Sequence, residues 1–67
     1  MKNKSNVISA YNHKGYTVYI CDHADGYYGS IANDEGVPVD VTPFRSDIES
    51  VKEAAENIIY QLTNNKK

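Results

Sequence analysis

The sequence predicts a small α+β domain: three or four antiparallel strands in a β-meander, followed by one C-terminal α-helix packed on one face of the sheet. Three observations carry that reading. Residues 16–42 fall into short runs rich in Tyr, Val, Ile and Thr, separated by turn-forming groups at 12–15, 25–26 and 33–36. Residues 46–62 instead place apolar side chains at helical spacing. Sixty-seven residues, 40% of them hydrophobic, supply one small core and therefore one domain, with 1–6 and 64–67 as polar tails.

The elements follow in chain order. Val7-Ile8-Ser9-Ala10-Tyr11 is a candidate short first strand. In Tyr16-Thr17-Val18-Tyr19-Ile20-Cys21 the period of two puts Tyr16, Val18 and Ile20 on one side and Thr17, Tyr19 and Cys21 on the other, the first set being the better core face. Asp25-Gly26 then marks a hairpin into Tyr27-Tyr28-Gly29-Ser30-Ile31-Ala32, since both residues tolerate positive φ. Val37 to Thr42 reads as the last strand, with Val37, Val39 and Val41 inward and Pro38 on an edge, where its missing N–H is harmless. Pro43 ends the sheet. Ser46-Asp47-Ile48-Glu49 fits a capping box, and Ile48, Val51, Ala55, Ile58 and Leu62 form one apolar stripe running to about Leu62, flanked by Ala54 and Ile59.

Net charge is −2, and its distribution says more than its sum. Residues 1–15 hold three lysines and no acid, whereas 16–43 hold Asp22, Asp25, Asp34, Glu35 and Asp40 and no base. Nucleic-acid binding draws most of its affinity from clustered Lys and Arg, so the acidic middle argues against it. No apolar run reaches the roughly 20 residues of a membrane span. The N-terminus is too short and polar for a secretory signal, and a cytoplasmic location is expected.

Candidate chemistry is sparse. Cys21, His23 and His13 could hold zinc on paper, but their spacing lacks a tight ligand pair; half-buried Cys21 beside a polar turn is the simpler account, and no metal is expected. The single cysteine excludes an internal disulfide. A Cys21–His23 nucleophile pair lacks an orienting third group, so no catalytic residue, cofactor or enzymatic activity is expected. The five acids fall in or near turns, where such residues serve turn geometry. One helix covers only one face of a sheet, leaving Thr17, Tyr19, Cys21, Tyr28, Ser30 and Ala32 bare. Tyrosine-bearing, charge-poor surfaces are typical of interface cores, and so short a chain gains from association, so this face is expected to bind a partner or a second copy in a homodimer.

The pattern Tyr16-Thr17-Val18-Tyr19-Ile20, then Asp25-Gly26-Tyr27-Tyr28-Gly29-Ser30-Ile31, then a helix containing Glu53-Ala54-Ala55-Glu56-Asn57-Ile58, resembles the N-terminal half of HicB-type antitoxins over residues 15–60. The resemblance implies an acidic domain that dimerises and masks a basic toxin. The family's proline-glycine-cysteine stretch after the second strand is missing, and autorepression through a following DNA-binding domain is not expected. The order of sheet then helix also resembles double-stranded RNA-binding domains and the arm-binding domains of phage integrases, whose basic surfaces this sequence lacks.

The expected function is thus a non-enzymatic, antitoxin-like or inhibitor-like interaction module, of the kind carried by phages or mobile elements. It binds a partner protein, of basic character, through Tyr19, Tyr28, Asp22, Asp25, Asp34 and Glu35. The alternative is a nucleic-acid-binding module using Tyr19, Tyr27, Tyr28 and the terminal lysines.

Overall fold

The computed structural model describes residues 6–64. Strands β1 (Asn6–His13), β2 (Tyr16–His23), β3 (Gly26–Ala32) and β4 (Pro38–Val41) form one antiparallel sheet in the order β1-β2-β3-β4, and helix α1 (Ile48–Asn64) packs across it. This is the meander-plus-helix architecture that the turn spacing and the helical stripe predict. The tails expected at 1–6 and 64–67 lie outside the described residues except for Asn6 and Asn64, which belong to β1 and α1. No described helix is long and apolar enough to cross a membrane.

The first strand is longer than the run Val7 to Tyr11, because the Lys14-Gly15 connection pairs the chain back on itself directly. Lys14 (φ 50°) and Gly15 (φ 86°) both have positive φ, which matches the twist of a two-residue hairpin, and the register carries through from His13↔Tyr16 to Asn6↔Asp22. A bulge between Val7 and Ser9 is the one irregularity in that pair. At the second hairpin the expected pair of positive φ values does not occur. Ala24 and Asp25 make the connection with ordinary φ, and Gly26 alone is positive, at 133°. Its side-chain position is closed as well: a Cβ there would stand 2.6 Å from the Arg45 carbonyl oxygen. That carbonyl accepts from the Tyr27 N–H at 2.8 Å, and Arg45 N–H donates back to the Tyr27 carbonyl at 2.8 Å.

The core lies between the sheet and α1. Val18, Ile20, Ile31, Val51, Ala55 and Ile59 are fully buried, ringed by Tyr11, Tyr16, Tyr27, Ile48 and Ile58. Tyr16, Val18 and Ile20 thus form the inner face of β2, as alternation requires. On α1 the stripe is rotated from the one the sequence indicates. Val51, Ala55 and Ile59, four residues apart, are its fully buried line, and Ile58 and Leu62 are half-buried. The rotation follows from where Val51 must sit. Gly29 is on the same sheet face, and a Cβ on it would come within 3.1 Å of Val51 Cγ1 and 3.3 Å of Thr42 Cγ2. A residue without a side chain lets α1 approach there without displacing Val51 or Thr42, so Val51 is the close contact and the i+4 row follows it.

Three further expectations are corrected. Val37, Val39 and Val41 do not point inward; they are 50%, 41% and 56% exposed. The inward position belongs to Thr42, which is 4% exposed. Its hydroxyl accepts from the Gly29 N–H at 2.8 Å and donates to the Pro43 carbonyl at 3.0 Å, while its own N–H donates to the Gly29 carbonyl at 2.8 Å. With Thr42 facing α1, alternation turns Val41 to the other side, opposite Ser30. A register shift between Ile31 and Ala32 puts Asp40 opposite Ile31 and Pro38 opposite Ala32. The helix also opens on Asp47 rather than Ser46, the first turn closing with Val51 N–H to the Asp47 carbonyl at 3.3 Å. The paired Arg45 keeps the chain extended up to that point, and aspartate caps as well as serine does. Finally Cys21 is buried, not half-buried, at 4% exposure, its thiol directed at the Tyr19 carbonyl 3.7 Å away.

Two stability measurements check this packing. By denaturant unfolding, Gly29→Ala is expected to cost about 1–3 kcal/mol by overpacking against Val51, and Thr42→Val about 1–3 kcal/mol by stranding the buried Gly29 N–H. Ile59→Ala is expected to cost about 2–5 kcal/mol, and Ile58→Ala clearly less; equal costs would contradict the observed rotation of the helix.

Candidate functional site

Strand register builds the uncovered face row by row. Ala10, Tyr19, Ser30 and Val41 stand side by side across all four strands. Val7, Cys21 and Tyr28 form a second row, and Asn12, Thr17 and Ala32 a third. None of these ten side chains is charged. Val7 (59% exposed), Tyr19 (37%) and Val41 (56%) project from the face, with Cys21 and Ala32 sunk between them. The bare set read from the alternation is therefore assembled here, with Val7, Ala10, Asn12 and Val41 added by two strands whose facing the sequence left open or misplaced.

One end of the face carries an aromatic cluster. His23, Tyr28 and Phe44 have ring centroids 5.1 Å (His23–Phe44), 5.5 Å (Tyr28–Phe44) and 6.4 Å (His23–Tyr28) apart, and Phe44 remains 46% exposed. Edge-to-face and tilted pairs at such spacings suit the ring quadrupoles. Phe44 was not singled out by its sequence context; the extended segment after Pro43, tied by Arg45 to Tyr27, is what brings it to the sheet. His23 Nδ1 accepts from the Asp25 N–H at 3.2 Å and lies 3.8 Å from Asp25 Oδ2, so the ring is oriented by its own turn.

The acidic residues are not gathered. Asp22 and Asp25 stand at the end where β2 runs into β3, and Asp34 and Glu35 in the turn after β3 at the opposite end. Along β2 these ends are about 23 Å apart at ~3.3 Å per residue, more than two Debye lengths of about 8–10 Å. Asp34 also shares an open groove of about 530 Å³ with Lys14, Gly15, Tyr16, Asn33 and Thr63. Asn33 closes that turn, its side-chain oxygen accepting from the Glu35 and Val37 N–H groups at 2.9 and 3.0 Å. The same distance separates His13 from His23, and no group of three or more His, Cys, Asp or Glu side chains is placed to hold a metal ion among the described residues. Tyr27 packs against the core on the helix side, so it shares no surface with Tyr19 and Tyr28.

On the helix-covered side a polar contact joins β1 to α1. Tyr11 hydroxyl donates to Glu56 Oε2 at 3.3 Å, and Lys52 Nζ stands 5.7 Å from the Tyr11 ring centroid. Burial first, then the Glu56 charge and the hydrogen bond, push the Tyr11 hydroxyl up to about 12.

No family model, curated protein or solved structure matches the chain.

Because the Tyr11 value is raised in the folded state, the folded protein holds that proton more tightly than the unfolded chain. The stability it contributes is complete below pH 10 and declines as pH rises toward about 12. Comparison of wild type and Tyr11→Phe by alkaline ultraviolet titration and melting is expected to show the late-titrating tyrosine, and this part of the alkaline decline, in the wild type only.

Proposed function

We propose that this chain is a non-enzymatic interaction module that docks a partner protein on its uncovered sheet face. The observation that carries the reading is the ten-residue, charge-free surface with Val7, Tyr19, Val41 and Phe44 standing exposed on and beside it. Contiguous apolar surface of this kind on a small domain marks contact with another macromolecule more often than idle exposure. Tyrosine, with a large rigid ring and a polar tip, suits the centre of such a contact.

The acidic stretch 16–43 adds a preference for a basic partner. Asp25 adjoins the aromatic end of the face through His23 and is the acid assigned to docking contact; Asp22, opposite Tyr27 on the helix side, adds only charge at that end, and Asp34 and Glu35 stand more than two Debye lengths away. The masking role implied by the likeness to HicB-type antitoxins, or an inhibitor role, uses a face and charge of this kind. Homodimerisation and a cytoplasmic setting, where a lone thiol such as Cys21 stays reduced, belong to the same proposal. The nucleic-acid alternative is weakened by the separation of Tyr27 from Tyr19 and Tyr28; of its lysines, Lys2, Lys4, Lys66 and Lys67 lie outside the described residues.

The test compares affinity capture from source cells by the wild type, a Tyr19→Lys/Val41→Lys variant and an Asp22→Lys/Asp25→Lys variant, with folding checked by circular dichroism. The face variant is expected to lose the stoichiometric partner by tenfold or more at any salt, and the acid variant to bind more weakly mainly at low salt, the difference from wild type shrinking as salt rises. Undiminished capture by the folded face variant overturns the proposal, and a nuclease-sensitive nucleic acid in place of a protein supports the alternative.

A further inference from the structure

We infer that a second copy of this chain pairs with β1, edge to edge and antiparallel, joining two four-stranded sheets into one of eight strands. This goes beyond the docking face, which it leaves open.

The edge itself is the first observation. Asn6–His13 pairs only with β2, so one side of an eight-residue strand presents backbone N–H and C=O groups with no backbone partner among the described residues. Such an edge is satisfied by water or by another strand. Natural edges that stay single are blunted by charge, proline or shortness. At the other edge, β4 has all three: four residues, Pro38 and Asp40. β1 has none of them, since Asn6-Val7-Ile8-Ser9-Ala10-Tyr11-Asn12-His13 contains no proline and no Lys, Arg, Asp or Glu. Its one blunting feature is the bulge between Val7 and Ser9, which leaves Ser9–His13 as the regular stretch.

The contrast between the edges selects the occupant. A β1-to-β4 contact would repeat from copy to copy without closing, and Pro38 removes a donor from it. A β1-to-β1 contact about a two-fold axis closes after two copies and needs only a segment compatible with itself. Ser9–His13 meets that condition, because no like charges are brought together.

The charges above the seam point the same way. Lys52 stands over the Tyr11 ring, and Glu56 accepts a hydrogen bond from the Tyr11 hydroxyl, so both side chains lie toward β1. A two-fold axis at Tyr11 reverses the second helix. Lys52 of one copy then lies on the side of Glu56 of the other, so the charges above the seam are arranged to attract rather than repel. The same operation keeps both helices on one side of the joined sheet. The uncovered faces become continuous on the other side, with the Ala10 and Asn12 positions nearest the seam.

Sedimentation equilibrium of the full chain, with amide hydrogen exchange measured at dilute and concentrated protein, tests this. The expected result is a dimer in which outward amides within Ser9–His13 exchange at least tenfold more slowly at high concentration, while those of β4 do not change. Ser9→Lys/His13→Lys, on the helix side of the strand and off the docking face, gives the edge the charges it lacks and is expected to yield a folded monomer. Lys52→Glu is expected to weaken the dimer, and Lys52→Glu/Glu56→Lys to restore it. A monomer at every concentration overturns the inference. So does a dimer whose β1 amides ignore concentration and which Tyr19→Lys, rather than the edge variant, dissociates. Partner capture by the edge monomer is read separately, so loss of the docking proposal and loss of this one are distinguishable.

Discussion

The absence of a side chain at Gly29 is the constraint on which the rest of this structure depends. One helix must cover the inner sheet face closely enough to seal Val18, Ile20 and Ile31, and it does so by seating Val51 tightly against Gly29, where a Cβ would come within 3.1 Å of Val51 Cγ1. The same glycine exchanges backbone and hydroxyl hydrogen bonds with Thr42, fixing which way the last strand faces. In a domain this small, burying a few apolar side chains completely matters more than burying many partly, because total stability is only some kilocalories per mole.

The exposed face is the other consequence of that arrangement. With Thr42 turned toward the helix, Val41 is turned away from it and joins Ala10, Tyr19 and Ser30 across the sheet. A half-covered antiparallel sheet ordinarily alternates apolar inside and polar outside. Here the outside is uncharged and partly apolar, and the charges are displaced to the two ends and to the helix. An uncovered face and an open β1 edge are therefore products of the same folding problem: one helix covers one face of one sheet, and nothing in the described chain covers the remainder.

Much of this was legible in the sequence where the signal is local. Alternation in 16–21 sorted Val18 and Ile20 from Tyr19, and the turn groups at 12–15 and 25–26 lay at the two connections, Lys14-Gly15 and Ala24-Asp25. What was not legible is what tertiary contact decides. The valines at 37, 39 and 41 alternate well for a core strand, yet the hydroxyl of Thr42 takes the inner position because Gly29 has an N–H to satisfy. Ile58 and Ile59 are equally apolar neighbours, and only the seat of Val51 tells which is inside. Tyr27 and Tyr28 are adjacent and identical, but pleating sends them to opposite faces. Phe44 has no periodic neighbour and reached the site through the Arg45–Tyr27 pairing. The acids at 22, 25, 34 and 35 look like one cluster in the chain; the hairpins carry them to opposite ends of the sheet.

The most direct test of the central claim is to map the contact on the chain itself. Amide chemical shifts of isotope-labelled protein would be followed as the partner recovered by the full-length chain is added. The account predicts that the largest changes fall on the row Ala10, Tyr19, Ser30 and Val41 and on Tyr28 and Phe44. Changes confined to the groove of Lys14, Asn33, Asp34 and Thr63, or to the outer face of the helix around Glu53 and Tyr60, would contradict it.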